Sequence, residues 1–382
     1  MEAYFDNSAT TAPCIEAIRA VNEALTDCWG NPSSLHRTGN KAKELLDLSR
    51  ESIAKRLSCD PSEIFFTSGG TESNNLAVMG AAYQMRRFGK RIVSTSVEHP
   101  SIDETLNKLE AEGFEVIKLR VDNFGRVNER ELYAAVNSNT ILITMMLVNN
   151  EVGTIMPVEA AKRAATAARS PALIHCDAVQ AFGKLPIKPA AMGVDLMTIS
   201  SHKIHGPKGV GFLFVRRGVT LDGVALGGGQ EMGLRSGTQN TPGILALERA
   251  VLDWDDADIA RVRQIKEALY REVCARVDGV RRNGPDEGTA APHILNLGFS
   301  GVRAETLLHA LEERDVLVAT GSACSSRHRR VSFVLDAMHV PEEYLTGSIR
   351  LSFGIFNTMD EVVPAAEAIA ECVTLLRRFK AR

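Results

Sequence analysis

Residues 63–85 read EIFFTSGGTESNNLAVMGAAYQM. An apolar, aromatic run ends at a Thr-Ser-Gly-Gly turn, and a stretch rich in helix formers begins directly after it. The first part has strand composition, and two glycines suit the reversal from strand to helix. Thr71 reads as the N-cap of that helix. The order then repeats. RIVSTSVEH leads into SIDETLNKLEAEG, FEVIKLRV precedes ELYAAVN, TILITMMLVNNEVG precedes VEAAKRAATAARS, and ALIHCDAVQ follows. DLMTISSHKIHGPKGVGFLFV gives two strands around a Gly-rich turn. Strands alternating with helices specify an α/β domain with a mostly parallel sheet.

Ligands of such sheets bind beyond the carboxyl ends of the strands. Asn149 and Asn150, Asp177 and Gln180, and Ser200 to Lys203 each follow an apolar run and so fall there. TSGGTES at 67–73 puts helix-start N–H groups and two glycines at one strand end, which suits a phosphate, although a plain tight turn has the same composition. It is not G-x-x-x-x-G-K-[ST], which disfavours a P-loop. Lys203 in SSHKIHGPKG is suited to Schiff-base chemistry in a dry pocket and is otherwise a surface charge. Asp177 reads as a counter-ion for a protonated ring nitrogen, or as an N-cap or ion-pair partner. A lysine with such an aspartate is the pair that pyridoxal phosphate uses.

The chain has 382 residues, 45% hydrophobic and 24% charged, enough for a large domain with a smaller one. Beyond the helical stretch 243–253, HILNLGFSG, ETLLHALEERDV and SIRLSFG read as a second set of strands and helices. We expect a large cofactor-binding domain over 13–250. A small domain is expected over 1–12 and 251–382, carrying the segment at about 320–332. A net charge of −3 leaves no global basic field, so neither nucleic acid nor membrane is an expected partner. MEAYFDNSATT has no signal-peptide pattern and ILITMMLV is too short to span a bilayer, so a cytoplasmic protein is expected. Seven scattered cysteines without a C-x-x-C pair suit neither a disulfide framework nor a zinc ribbon, and HCD and HKIH lack zinc-site partners, so no metal is expected. One thiol, Cys324, stands apart in TGSACSSRHRR (320–330), among small residues and followed by Arg327, His328, Arg329 and Arg330.

DNSATT, GNPSSLH, FTSGGTESNN, VNNEVG, HCDAVQ, SSHKIHGPKGVG, LRSGTQN, GSACSS and SIRLSFG occur in this order from Asp6 to Gly354. Taken together they resemble the NifS/IscS-like cysteine desulfurases of the class V aminotransferase family, over essentially the whole chain. The resemblance implies a fold type I, aspartate-aminotransferase-like architecture, a large mixed and mostly parallel sheet domain with a smaller α+β domain, a homodimer, and pyridoxal 5'-phosphate. It implies that Lys203 carries the cofactor, Asp177 pairs with its ring nitrogen, His99 stacks over the ring and Gln180 bonds the ring hydroxyl. Gly70, Thr71, Ser200 and His202 would hold the phosphate, and Thr238 would reach the phosphate in the partner subunit. Asn150 and Arg350 would bind the substrate carboxylate, a pairing the guanidinium fork suits. His36 lies in a family motif at the expected substrate entrance, while His175 and His205 read as structural.

The implied reaction converts L-cysteine to L-alanine and leaves the sulfur on Cys324 as a persulfide. An acceptor protein would take it on for iron–sulfur cluster assembly or for tRNA or cofactor thiolation. The small residues around Cys324 suit a moving segment, and its basic neighbours favour a thiolate or an acidic partner. Selenocysteine lyase or another class V reaction is the enzyme alternative. A non-catalytic sulfur relay on the same fold is the alternative of another kind.

Overall fold

The computed structural model describes residues 2–321 and 331–380. The strands among the described residues are β1 (Ala3–Tyr4), β2 (Ile64–Thr67), β3 (Arg91–Thr95), β4 (Glu115–Leu119), β5 (Thr140–Met146), β6 (Leu173–Asp177), β7 (Leu196–Ser200), β8 (Gly211–Val215), β9 (Val280–Asn283), β10 (Ile294–Phe299), β11 (Val316–Leu317), β12 (Ala319–Thr320) and β13 (Ser348–Ser352). Seven of them form one sheet in the order β2-β8-β7-β6-β5-β3-β4. β8 runs antiparallel to β2 and β7, and the other neighbours are parallel. ILITMM, LIHCD and LMTIS are buried throughout, as strands covered on both faces must be. β4, at the sheet edge, keeps exposed positions.

The helix after β2 starts at Gly70 rather than beyond Thr71. Gly69 is its N-cap, at φ 144, a conformation open to glycine. It turns the chain into the helix early, so Thr71 falls in the first turn and caps nothing. No side chain caps this helix, and its first N–H groups face the end of the sheet. The apolar run TILITMMLV also stops short as a strand. β5 ends at Met146, and Val148 bridges Ile155 around a turn in which Asn149 Oδ1 accepts from Glu151 N at 2.9 Å and Val152 N at 3.1 Å.

A four-stranded antiparallel sheet, β12-β13-β10-β9, packs with helices 256–276, 304–312 and 362–380 around Val262, Leu269, Leu297, Phe299, Leu307, Ile349 and Ile369. Residues 3–6 join this part of the molecule. β1 pairs in parallel with β11, Asp6 bridges Ser352, and the Phe5 and Phe353 rings lie 5.1 Å apart. The chain then crosses to the large sheet, where Thr11 N donates to His202 O at 2.9 Å. No helix among the described residues is long and apolar enough to cross a membrane.

Candidate active site

The carboxyl ends of β5, β6 and β7, the start of helix 70–85, Ser8 and β13 enclose a cavity of about 190 Å³. Asp177 ends β6 inside it, buried, with two hydrogen bonds to its carboxylate. Asn74 Nδ2 donates to Oδ2 at 2.8 Å and Val179 N donates to Oδ1 at 3.0 Å. Asn74 Nδ2 also donates to Ser101 Oγ at 2.9 Å. His99, N-cap of helix 100–111, bonds Ser101 twice through Nδ1: the Ser101 N–H donates to it at 3.1 Å, and Oγ lies at 2.8 Å. A ring nitrogen that accepts an N–H leaves the hydrogen of neutral imidazole on Nε2. Burial lowers His99 below the ordinary histidine value; Asp177 opposes that shift and the Lys203 charge adds to it.

Glu98 fixes the neighbouring main chain. Its carboxyl accepts from Met146 N with both oxygens at 3.0 Å and from Thr95 Oγ1 at 2.7 Å, tying the ends of β3 and β5 together. Burial raises its pKa to about 8.

Lys203 sits in the one-turn helix 201–203 directly after β7. Its Nζ donates to Ser8 O at 2.6 Å and Ala9 O at 2.8 Å, and Gln180 Nε2 donates to Ser8 O at 3.0 Å. His202 Nδ1 bonds Thr10 Oγ1 at 3.2 Å; burial, then the charges of Lys203, Lys208 and Lys184, lower it to about 4. At the far side Arg350, on β13 and almost fully buried, donates to Asn150 O at 3.0 Å and pairs with Asp6 at 2.8 Å. Gly69 and Gly70 lie against Ser200. They reach it because Gly211 on β8 has no side chain: a Cβ there would stand 2.5 Å from Ile199 O and 2.8 Å from Gly69 Cα.

Gly70, Thr71, His99, Asn150, Asp177, Gln180, Ser200, His202, Lys203 and Arg350 all line this one cavity, although 280 residues separate the first from the last. Thr238 does not line it. It is exposed in a loop held by Gly237 N to Gln230 Oε1, 2.8 Å, and Gln239 Nε2 to Glu231 Oε1, 3.1 Å. Cys324 lies outside the described residues. His36 is the N-cap of helix 37–57 and accepts from Gly39 N at 3.3 Å, and it is not among the cavity lining. His175 bridges Thr144 and Thr198 inside the sheet, and His205 packs on Trp254 and Phe356.

Four participants were not singled out by the sequence: Asn74, Ser101, Asp6 and Ser8. Three of them stand inside quoted motifs: Asp6 and Ser8 in DNSATT, and Asn74 in FTSGGTESNN, where Gly70 and Thr71 drew attention instead. Ser8 acts through its carbonyl, which no residue-type pattern announces.

Three lining residues each keep a buried polar atom without a hydrogen-bond partner among the described residues: Ser8 Oγ, Asn74 Oδ1 and Arg350 Nε. Buried polar atoms are rarely left so, and the cavity therefore suits a strongly polar guest. The uncapped helix start suits a phosphate, the Asp177 carboxylate a cationic ring nitrogen, and Lys203 an aldehyde. Together they fit pyridoxal phosphate, and with the mixed seven-stranded sheet they define an enzyme of fold type I that depends on it.

Comparison with known proteins agrees. The model of the class-V aminotransferases matches residues 3–363. A NifS/IcsS protein homolog of Lactobacillus delbrueckii subsp. bulgaricus is 44% identical over 98% of this chain and 97% of its own. A cysteine desulfurase IscS of Dictyoglomus turgidum is 39% identical over 98% and 95%. A solved NifS-like protein superimposes with a TM-score of 0.91 at 36% identity, over 98% of this chain and all of that one. The chain belongs to the class-V aminotransferase family, among its NifS/IscS-like cysteine desulfurases.

Proposed function

We propose that the protein is a pyridoxal-phosphate-dependent cysteine desulfurase that converts L-cysteine to L-alanine and passes the sulfur through Cys324. The observation that carries this reading is the single cavity that joins Lys203, Asp177 and Arg350 from three distant parts of the chain. The relative from Dictyoglomus turgidum that bears the desulfurase name supports it over nearly the full length.

When bound, the cofactor supplies an electron sink for the bonds of the amino acid's α-carbon. The phosphate would be held by the N–H groups at Gly70 and Thr71 with Ser200 and His202, the ring nitrogen by Asp177, the ring hydroxyl by Gln180, and the ring by His99. Arg350 and Asn150 bind the substrate carboxylate. Arg350 comes to that task already anchored to Asn150 O and Asp6, with Nε unengaged among the described residues, so the guanidinium is oriented before substrate arrives. Lys203 would carry the cofactor, and its amine would take the proton from the substrate α-carbon. Neutral His99 keeps a hydrogen on Nε2.

Sulfur transfer needs a thiolate. Cys324 Sγ attacks the substrate sulfur; a new S–S bond forms as the Cβ–S bond breaks, and Cβ takes a proton to become the methyl group of alanine. Atoms and electrons balance without an oxidant: L-cysteine and the Cys324 thiol give L-alanine and the Cys324 persulfide. An acceptor protein receives that sulfur for cluster assembly or thiolation.

The protein acts as a cytoplasmic homodimer in this reading, with Thr238 completing the partner's phosphate site. Thr238 is exposed and outside its own cavity, and Leu226 and Met232, on the same loop, are exposed apolar residues at 87% and 62%. We divide the chain into 13–250 and 1–12 with 251–382, a division supported by the separate seven- and four-stranded sheets and by the bridge from Asp6 to Ser352 on β13.

Two variants test the proposal. Lys203→Ala loses the visible band of bound cofactor near ~420 nm and all turnover. Cys324→Ser keeps the band but forms no persulfide, read by mass spectrometry and by alanine release. Normal turnover by Cys324→Ser with a physiological acceptor would overturn the role of that thiol. Alanine release from selenocysteine but not from cysteine would replace the substrate.

A further inference from the structure

A second lysine stands behind the first. Lys184 follows Gly183 in the segment that leaves β6 after Asp177 and Gln180, and it is 2% exposed. Its Nζ donates to Lys203 O at 2.8 Å and lies 6.0 Å from the centre of the Trp254 ring. Lys184 forms no ion pair among the described residues. The titratable groups that face it are Lys203, His202 and His205 from the turn after β7, and His293 from the approach to β10. All are bases, and burial pushes each of these histidines toward the neutral form. The Asp258 carboxylate acts on His205, and Asp177 is engaged by Asn74 and Val179.

An ammonium enclosed without a carboxylate is costly, and methionine would fill the same space without that cost. Burial, with the Lys203 charge adding, lowers Lys184 to about 7. Two like charges in one enclosed region disfavour each other, and a cationic neighbour is a known means of making a lysine amine nucleophilic at neutral pH.

We propose that Lys184 is a positioning residue for the cofactor-carrying lysine: its buried ammonium, bonded to the Lys203 carbonyl, holds the Lys203 turn and sets a positive charge behind Lys203 that favours loss of the proton there. The inference rests on Lys203 being the lysine that carries the cofactor. The two functions are separable. The hydrogen bond needs an N–H donor, and the electrostatic effect needs a charge.

Lys184→Gln keeps a donor and removes the charge, whereas Lys184→Arg keeps both. The cofactor-loaded wild type and variants are titrated from pH 5 to 10 by their visible absorbance. Below about pH 7, where Lys184 carries its charge, the titration curve of Lys184→Gln lies to higher pH by about half a unit or more, and that of Lys184→Arg stays near wild type. If Lys184→Gln does not fold, Lys184→Met, apolar and of similar length, gives the same upward shift. Neutral variants that titrate at the wild-type midpoint, or an arginine variant that moves with them, would overturn the inference. Borohydride reduction followed by peptide mapping distinguishes the two levels. Label on the Lys203 peptide with an unmoved midpoint removes only the role of Lys184. Label on another lysine removes both readings.

Discussion

Arg350 joins distant parts of the fold at the cavity where the proposed reading puts the substrate carboxylate. It spans Asn150 O and Asp6, and so joins the large sheet, β13 and the residues that follow β1. Lysine has the charge but not the planar fork, and it cannot keep both anchors while meeting a carboxylate. Arg350→Lys therefore raises KM for cysteine by about 100-fold, the worth of one or two charged hydrogen bonds, while the visible cofactor band is retained. Asn74 acts one step further back. Its amide holds the Asp177 carboxylate and Ser101, which in turn holds His99. Asn74→Ala loosens cofactor retention by about tenfold, measured by dialysis and absorbance, a loss of about 1–2 kcal/mol. That Lys203 and Asp177 belong to one candidate site was legible in the sequence because their chemistry is specific and each stands at the end of an apolar run. Asn74 and Asp6 were not, because an amide or carboxylate declares its partner only when the fold has brought residues 103 or 344 positions away to it.

At the scale of elements, the turn between β2 and its helix depends on a residue outside both. A side chain on β8 at Gly211 would strike the Ile199 carbonyl and Gly69 Cα. Gly211→Ala costs about 1–3 kcal/mol by thermal denaturation and displaces the helix start, so phosphate affinity falls with stability. Glu98 ties β3 to β5 with a different signature. Its folded pKa of about 8 stands above the ordinary 4.5, so the folded chain holds a proton that the unfolded chain releases. Its contribution is therefore fully present below about pH 4.5 and is lost as pH rises through 8. Relative to Glu98→Gln, the wild type loses on the order of a few kcal/mol between pH 5 and 8, read from melting curves across that range. The strand and helix order was legible because buried parallel strands are nearly continuous apolar runs and the helices between them are amphipathic. The element ends were less so. Thr71 has the composition of a cap, but the backbone freedom of Gly69 moves the helix start ahead of it, and the Asn149 side chain ends β5 by bonding the turn that follows.

At the scale of the molecule, the change in pattern after residue 250 pointed to a second set of strands, and residues 1–12 were expected beside it, but the strand β1 within them was not readable. Two-residue strands carry no periodicity, and β1 is recognised only through its pairing with β11. The exposed Leu226 and Met232 beside Thr238 give the proposed dimer a concrete test. Leu226→Asp shifts sedimentation toward the monomer and lowers cofactor affinity in step, because each phosphate site then lacks the partner's Thr238.

The crossing of residues 7–11 from the small sheet to the Lys203 turn has a consequence for biosynthesis. Lys203 Nζ and Gln180 are held by carbonyls at positions 8 and 9, and those positions are fixed by β1 on β11 and by Asp6 on Ser352 and Arg350. A nascent chain that has completed the seven-stranded sheet has its phosphate turn, but not its carboxylate site or the anchors of its lysine. The ribosome must deliver residue 317 before β1 can pair, and residue 352 before Asp6 gains its bridge to β13. Cofactor capture is thereby tied to completion of β13, and a chain broken off before it emerges with a formed sheet and an unfinished site.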